Sequence, residues 1–185
     1  MSADKWVNGG RSAISRAFGQ LLRARYEVCT VNGAGLRSRT AAADGGGKKQ
    51  ARVIDDAPAA GLNFNGHWQR QTGLQPAYLG TISGSDGKGA SFGFEFEGTK
   101  FTWFTKLGGD GGKAKVVIDG QPEGVVDTYS ADDIWGVGVY SKEFPAGSKH
   151  SVQISVLGEQ GGPAGYGKGS FVYVDGVRTE NSRLP

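Results

Sequence analysis

Residues 91–97, SFGFEFE, alternate without a break: Phe92, Phe94 and Phe96 fall on one side, Ser91, Gly93, Glu95 and Glu97 on the other. A period of two, apolar on one face and polar on the other, is the signature of a half-buried antiparallel strand. Gly98-Thr99 supplies a turn, and 101–105 (FTWFT) reads as the returning strand. After a glycine loop at 108–112, 115–118 (KVVI) reads as a third strand, stopped by the hairpin signal Asp119-Gly120.

The pattern continues on both sides. Further short strands are expected at 53–56, 64–68, 78–82, 125–129, 135–140, 152–156 and 171–175, with turn residues every 8–12 positions. No helical period interrupts them beyond residue 52. The 33 glycines suit many tight turns. An all-β sandwich or barrel follows, and Trp68 and Trp103 join the three phenylalanines as expected core.

Residues 1–52 differ in kind. They carry ten Lys/Arg against Asp4, Glu27 and Asp44, a charge of +7, whereas 53–185 carry eleven against fifteen Asp/Glu, a charge of −4. Within 11–25, Ile14, Phe18, Leu21 and Leu22 recur at helical spacing, with Arg16 and Arg23 elsewhere on the cylinder. Residues 26–32 read as a short strand carrying the one cysteine, Cys29, as a small buried hydrophobe. Residues 33–52 read as a glycine-rich linker. The expected organisation is a basic N-terminal arm (short helix plus extended linker, 1–52) ahead of a β-sandwich module (53–185). The stripe, with Arg16 and Arg23 paired to acidic groups, is the expected partner-binding surface, and residues 1–44 the attachment to a larger assembly. One cysteine excludes an intramolecular disulfide framework. No run approaches a membrane span, and the start lacks the apolar core of a secretory signal. The expectation is either a processed form or a protein made in a cytoplasm and placed by assembly. Basic residues without interleaved aromatics argue against nucleic acid as the partner.

Enzyme motifs fail on spacing. GGDGGK at 108–113 is one residue short of a phosphate loop, and Ala114 stands where a hydroxyl would meet magnesium. No G-x-S-x-G elbow occurs. The two histidines, His67 and His150, fall at a turn and at a strand opening, rim positions both. Asp55-Asp56 and Asp132-Asp133 are adjacent pairs, which point to opposite faces of a strand and do not flank a cleft as glycosidase carboxylates do. The expectation is a non-catalytic protein. Trp135, at a loop-to-strand junction after Asp132-Asp133, and Tyr166, in the loop GGPAGYGKG, are the expected exposed aromatics. A flat ring beside carboxylates is what a pyranose needs: stacking on its C–H face and directional bonds to its hydroxyls. The alternative is that Trp135 packs beneath a loop edge and Tyr166 pins its own loop.

The succession Gly66-His67-Trp68, Tyr78-x-Gly80-Thr81, Gly89-Ala90-Ser91-Phe92-x-Phe94, Gly98-Thr99, Gly112-Lys113-Ala114-x-Val116-x-Ile118-Asp119-Gly120, Asp127-x-Tyr129-Ser130, Gly147-Ser148-Lys149-His150 and Val174-Asp175 resembles the galactose-binding-like jelly-roll modules. The resemblance spans about residues 53–178. It implies a jelly-roll β-sandwich, a sugar ligand on the sandwich loops as in many members, and a structural calcium ion as in some, here at Asp55, Asp56 or Asp175. Arm, linker and module together resemble a virion-attached decoration or fibre protein that meets host glycans at the virion surface. The rivals are an extracellular accessory module of a secreted carbohydrate-active enzyme, and a capsid cement that binds no sugar.

Overall fold

A computed structural model describes residues 49–57 and 59–182, and the structure below is that of those residues. The expected helix at 11–25, the strand at 26–32, most of the linker and the six partner-binding residues lie outside them.

Twelve strands are present among the described residues: β1 (Lys49–Asp55), β2 (Asn63–Asn65), β3 (Gln69–Thr72), β4 (Thr81–Ser85), β5 (Ser91–Glu97), β6 (Lys100–Leu107), β7 (Gly112–Ile118), β8 (Gln121–Asp127), β9 (Ile134–Glu143), β10 (Lys149–Gln160), β11 (Val172–Val174) and β12 (Gly176–Ser182). They form a four-stranded sheet in the order β1-β12-β6-β9, a five-stranded sheet β2-β5-β10-β7-β8 and a three-stranded sheet β11-β4-β3, with every strand pairing antiparallel. The fold is the expected all-β jelly-roll sandwich.

Alternation explains how the layers meet. Phe92, Phe94 and Phe96 of β5 are buried, as are Val152, Ile154 and Val156 of β10 and Ala114, Val116 and Ile118 of β7. The five-stranded sheet thus presents one continuous apolar face. Against it the four-stranded sheet sets Phe101 and Trp103 of β6 and Val177 of β12, all fully buried. Rings cross the interface edge-on, Phe92 to Trp103 at 5.7 Å and Phe94 to Phe101 at 5.6 Å, an arrangement that quadrupoles favour. Outside, Glu95 and Glu97 are exposed, whereas Ser91 at the start of the same strand is buried beneath neighbours. Trp68 is only half-buried and packs edge-on against Phe92.

Three expectations shift. Residues 49–52, read as linker, are strand, because β12 pairs with them from Lys49↔Ser182 to Arg52↔Thr179 and satisfies their backbone whatever their side chains. Of the strand expected at 64–68 only the part in β2 is strand, since the chain breaks where Gly66 takes a φ of 83° and resumes extended pairing only at Gln69, in β3. At 78–82 the chain first makes a 3-10 turn, Tyr78–Gly80, and becomes strand only at Thr81.

The sandwich has two unlike ends. At one, β5–β6, β7–β8 and β9–β10 are joined by the short connections 98–99, 119–120 and 144–148. Asp119 and Gly120 both have positive φ (52° and 78°), the backbone of a two-residue hairpin turn. Lys49 and Ser182 pair at this same end. At the other end lie the connections 86–90, 108–111, 128–133 and 161–171.

Candidate functional site

The loop end is held together before any ligand is considered. The backbone N–H of Lys168 donates to Gly109 O (2.8 Å), that of Phe171 to Asp110 O (3.0 Å), and that of Ser130 to Gly108 O (3.1 Å). Two fully buried hydroxyls secure it from below: Thr128 Oγ1 donates to Gly112 O (2.8 Å) and Thr105 Oγ1 to Tyr173 O (2.7 Å). The loops are therefore built, with their backbone polar groups largely used.

Lys106 is the centre of the side-chain arrangement. The register of β6 on β9 slips between Thr105 and Leu107, and such an irregularity re-aims a side chain. The Lys106 ammonium lies 3.1 Å from Asp133 Oδ1 and 3.6 Å from Asp110 Oδ1. It also lies 5.6 Å from the centroid of Trp135 and 5.4 Å from that of Tyr173, over both rings. Cation–π attraction of this kind strengthens with desolvation, and the Lys106 side chain is only 13% exposed. Tyr173 donates its hydroxyl to Asp110 Oδ2 at 2.6 Å. Burial, reinforced by that carboxylate, pushes the Tyr173 phenol up, so it stays a donor. Its ring stacks on Phe171 at 5.7 Å and approaches β4 so closely that a Cβ on Gly84 would lie 2.5 Å from it.

Of the four ligand-binding residues expected, the structure brings Trp135 and Asp133 together through Lys106. Trp135 is half-buried and packs against the small cluster of Ala77, Ile82 and Tyr173. Asp132, next in the chain, is exposed. Tyr166 is 67% exposed on the 161–171 loop, fixed through its own N–H to Pro163 O (3.1 Å). No ring contact joins Tyr166 to Trp135 among the described residues. Sequence reasoning missed Lys106, Asp110 and Tyr173. The one available signal was Asp110, an acidic residue alone among glycines.

Asp55, Asp56 and Asp175, the metal residues implied by the resemblance, also come together, since Asp55 pairs with Gly176 across β1 and β12. All three are buried. Asp56 accepts from Thr81 Oγ1 (2.5 Å), Ser83 Oγ (2.7 Å) and Arg70 Nε (3.3 Å). Arg70 also reaches Asp55 Oδ2 at 3.7 Å. Asp175 Oδ1 accepts the Tyr78 N–H at 2.8 Å, while Asp55 Oδ1 has no partner among the described residues. Desolvation and the neighbouring carboxylates push Asp55 up to about 6 and Asp175 up to about 7. The donor set does not match calcium, which takes six to eight oxygens. Both Asp56 oxygens are committed, and Arg70 already supplies the cation. Among the described residues no group of three His, Cys, Asp or Glu side chains is placed to hold a metal ion.

The two histidines stand apart. His67 is exposed. His150, at the opposite end, bonds Asp119 Oδ2 through Nδ1 at 2.7 Å and packs tilted against Phe144 with ring centroids 3.9 Å apart. Its Nε2 is buried without a partner among the described residues. An open depression of about 510 Å³ adjoins it, lined by Glu95, Glu97, Lys149 and Ser151 among others. Among the described residues no helix is long and apolar enough to cross a membrane.

No family model and no curated protein matches the chain. Solved structures do. A family two carbohydrate esterase from Cellvibrio japonicus superposes with a TM-score of 0.50 at 16% identity, over 75% of this chain and 36% of the esterase. The CBM35 from Cellvibrio japonicus Abf62 superposes at 0.48 and 12%, over 73% of this chain and 99% of that module. The catalytic domain of a GH87 α-1,3-glucanase superposes at 0.45 and 15%, over 76% of this chain, which spans only 30% of that domain. The likeness is one of fold.

Proposed function

We propose that the chain is a non-catalytic, glycan-binding jelly-roll module whose ligand rests on the loop end. Trp135 and Tyr166 offer ring faces, and Asp132 and Asp133 accept from sugar hydroxyls. The observation that carries the reading is the Lys106 arrangement. It holds an indole and a carboxylate in fixed relation at a rim, on loops whose backbone is already bonded, so little ordering cost falls on binding. The carbohydrate-active proteins that share the fold are compatible with it.

The attachment part of the proposal rests on the sequence. A segment with an apolar stripe and a charge of +5, residues 1–48 with eight Lys/Arg against three Asp/Glu, precedes the sandwich, and β1 begins at the end opposite the loops. Residues 1–44 would attach the module to a virion capsid or tail, or join it as an accessory to the body of a secreted enzyme.

The test is a glycan array probed with the full chain and with Trp135→Ala. The proposal expects binding to a restricted set of glycans, lost in the variant while the fold's circular dichroism is kept. No binding to any glycan, or binding indifferent to Trp135→Ala and Tyr166→Ala alike, contradicts it. Co-sedimentation of wild type and Phe18→Asp with purified virions tests the attachment, which fails if the variant sediments like wild type.

A further inference from the structure

The donors and acceptors beside Trp135 also define which glycans fit, an inference that rests on the glycan-binding reading above. The cation that lies over Trp135 is used up. Lys106 is mostly buried, faces two carboxylates and lies over two rings. An ammonium so surrounded has no open side to offer a ligand anion. Asp110 is likewise spent on Lys106 and the Tyr173 hydroxyl. What remains toward solvent is Asp133, whose side chain is 57% exposed, and Asp132, which makes no hydrogen bond or ion pair among the described residues. Ionised carboxylates only accept. Lys106 balanced against Asp110, Asp132 and Asp133 leaves this group net negative, and Asp86 is near enough to help push the Tyr173 phenol up.

We propose that the Trp135 rim selects uncharged glycans, whose hydroxyls donate to Asp132 and Asp133, and rejects uronate-, sialate- and sulfate-bearing ones. An anionic substituent set beside these carboxylates meets like charge, and the ammonium nearest the ring, Lys106, is already engaged, which is discrimination by repulsion rather than by added contacts. Lys168, exposed on the 161–171 loop, is the group that would defeat this if it swung to the ligand.

The experiment measures the full chain at low and high salt against matched pairs on one array, each neutral glycan beside its C6-oxidised or sulfated counterpart. The acidic partner is expected to bind at least about tenfold more weakly at low salt, with the gap narrowing at high salt as screening removes the repulsion. Asp132→Asn, an exposed change that leaves the fold alone, should weaken the neutral ligand and narrow the gap. Acidic glycans bound as well as or better than neutral ones, with Trp135→Ala still abolishing binding, overturn the selectivity and leave the glycan-binding reading intact. Loss of that acidic binding in Lys168→Ala would identify the cation responsible. If no glycan of either kind binds, both readings fall.

Discussion

The two ends of the sandwich are closed by different means. At the turn end, the connections are short and each contact follows from strand register. Phe96 and His150 are cross-strand partners, and the Asp119 turn delivers its carboxylate to His150 and to the Ser151 N–H at 2.8 Å. At the loop end, the contacts join distant stretches, such as Tyr173 to Asp110 across 63 positions. Register alone does not make them. The turn end is a consequence of the strands, whereas the loop end is an additional construction that uses buried charge.

The largest expected effect breaks the turn end without touching the site. Phe96 meets Phe101, Phe144 and His150, so Phe96→Ala should cost about 3–5 kcal/mol in denaturant unfolding and leave glycan affinity unchanged. Glu95→Ala, on the exposed face of the same strand, should cost under about 0.5 kcal/mol. Equal costs would show that the sheet is covered on both faces.

Next in size is Lys106→Met. It leaves Asp110 and Asp133 close together without their cation, and about 1–3 kcal/mol of stability should go with it, together with most ligand affinity. Loss of stability with full affinity would remove Lys106 from the account of the site.

Acid separates the regions by sign. Asp175 and Asp55 have folded pKa values of about 7 and about 6, above the unfolded 3.8. The folded state therefore binds more protons in between, and the stability these groups withhold at high pH returns as pH falls from above 7 toward 4. Asp119 runs the other way. Its hydrogen bond to His150 lowers its pKa below 3.8, so its contribution persists above that value and is lost only on further acidification. The melting temperature should rise on going from pH 8 to about 5. Asp175→Asn, which keeps an acceptor for Tyr78, should raise it at pH 8 and flatten the slope. A melting temperature that climbs with pH across this window would contradict the assignment.

The smallest effect concerns metal. With Arg70 supplying the cation beside Asp55 and Asp56, calcium or a chelator should move the melting temperature by less than about 1 °C, since binding stabilises only in proportion to occupancy. A clear rise with calcium would restore the coordination that the resemblance implies.

Much of the fold was legible because its determinants are local. The alternation at 91–97 named the buried face of β5, and Asp119-Gly120 named the turn between β7 and β8. The first half of β1 was misread because its pairing comes from β12, and nothing in 49–52 announces that. Trp135 and Asp133 were legible as a ring beside a carboxylate, but the lysine joining them was not. Lys106 looks like any charged residue ending a strand until the register slip places it. Asp56 was read as a metal ligand from the family resemblance alone, and the cation beside it, Arg70, comes from a strand with no alternation to mark it.

The most direct measurement follows backbone amide and tryptophan indole resonances of the labelled full chain during titration with a glycan that binds on the array. The account predicts that the Trp135 indole and the amides of 108–111, 130–135 and 161–168 shift together, while the buried Trp103 indole and the amides of Glu95, Glu97 and Ser151 stay in place. Shifts centred on the depression beside His150, with Trp135 unmoved, would put the ligand at the turn end and contradict the account.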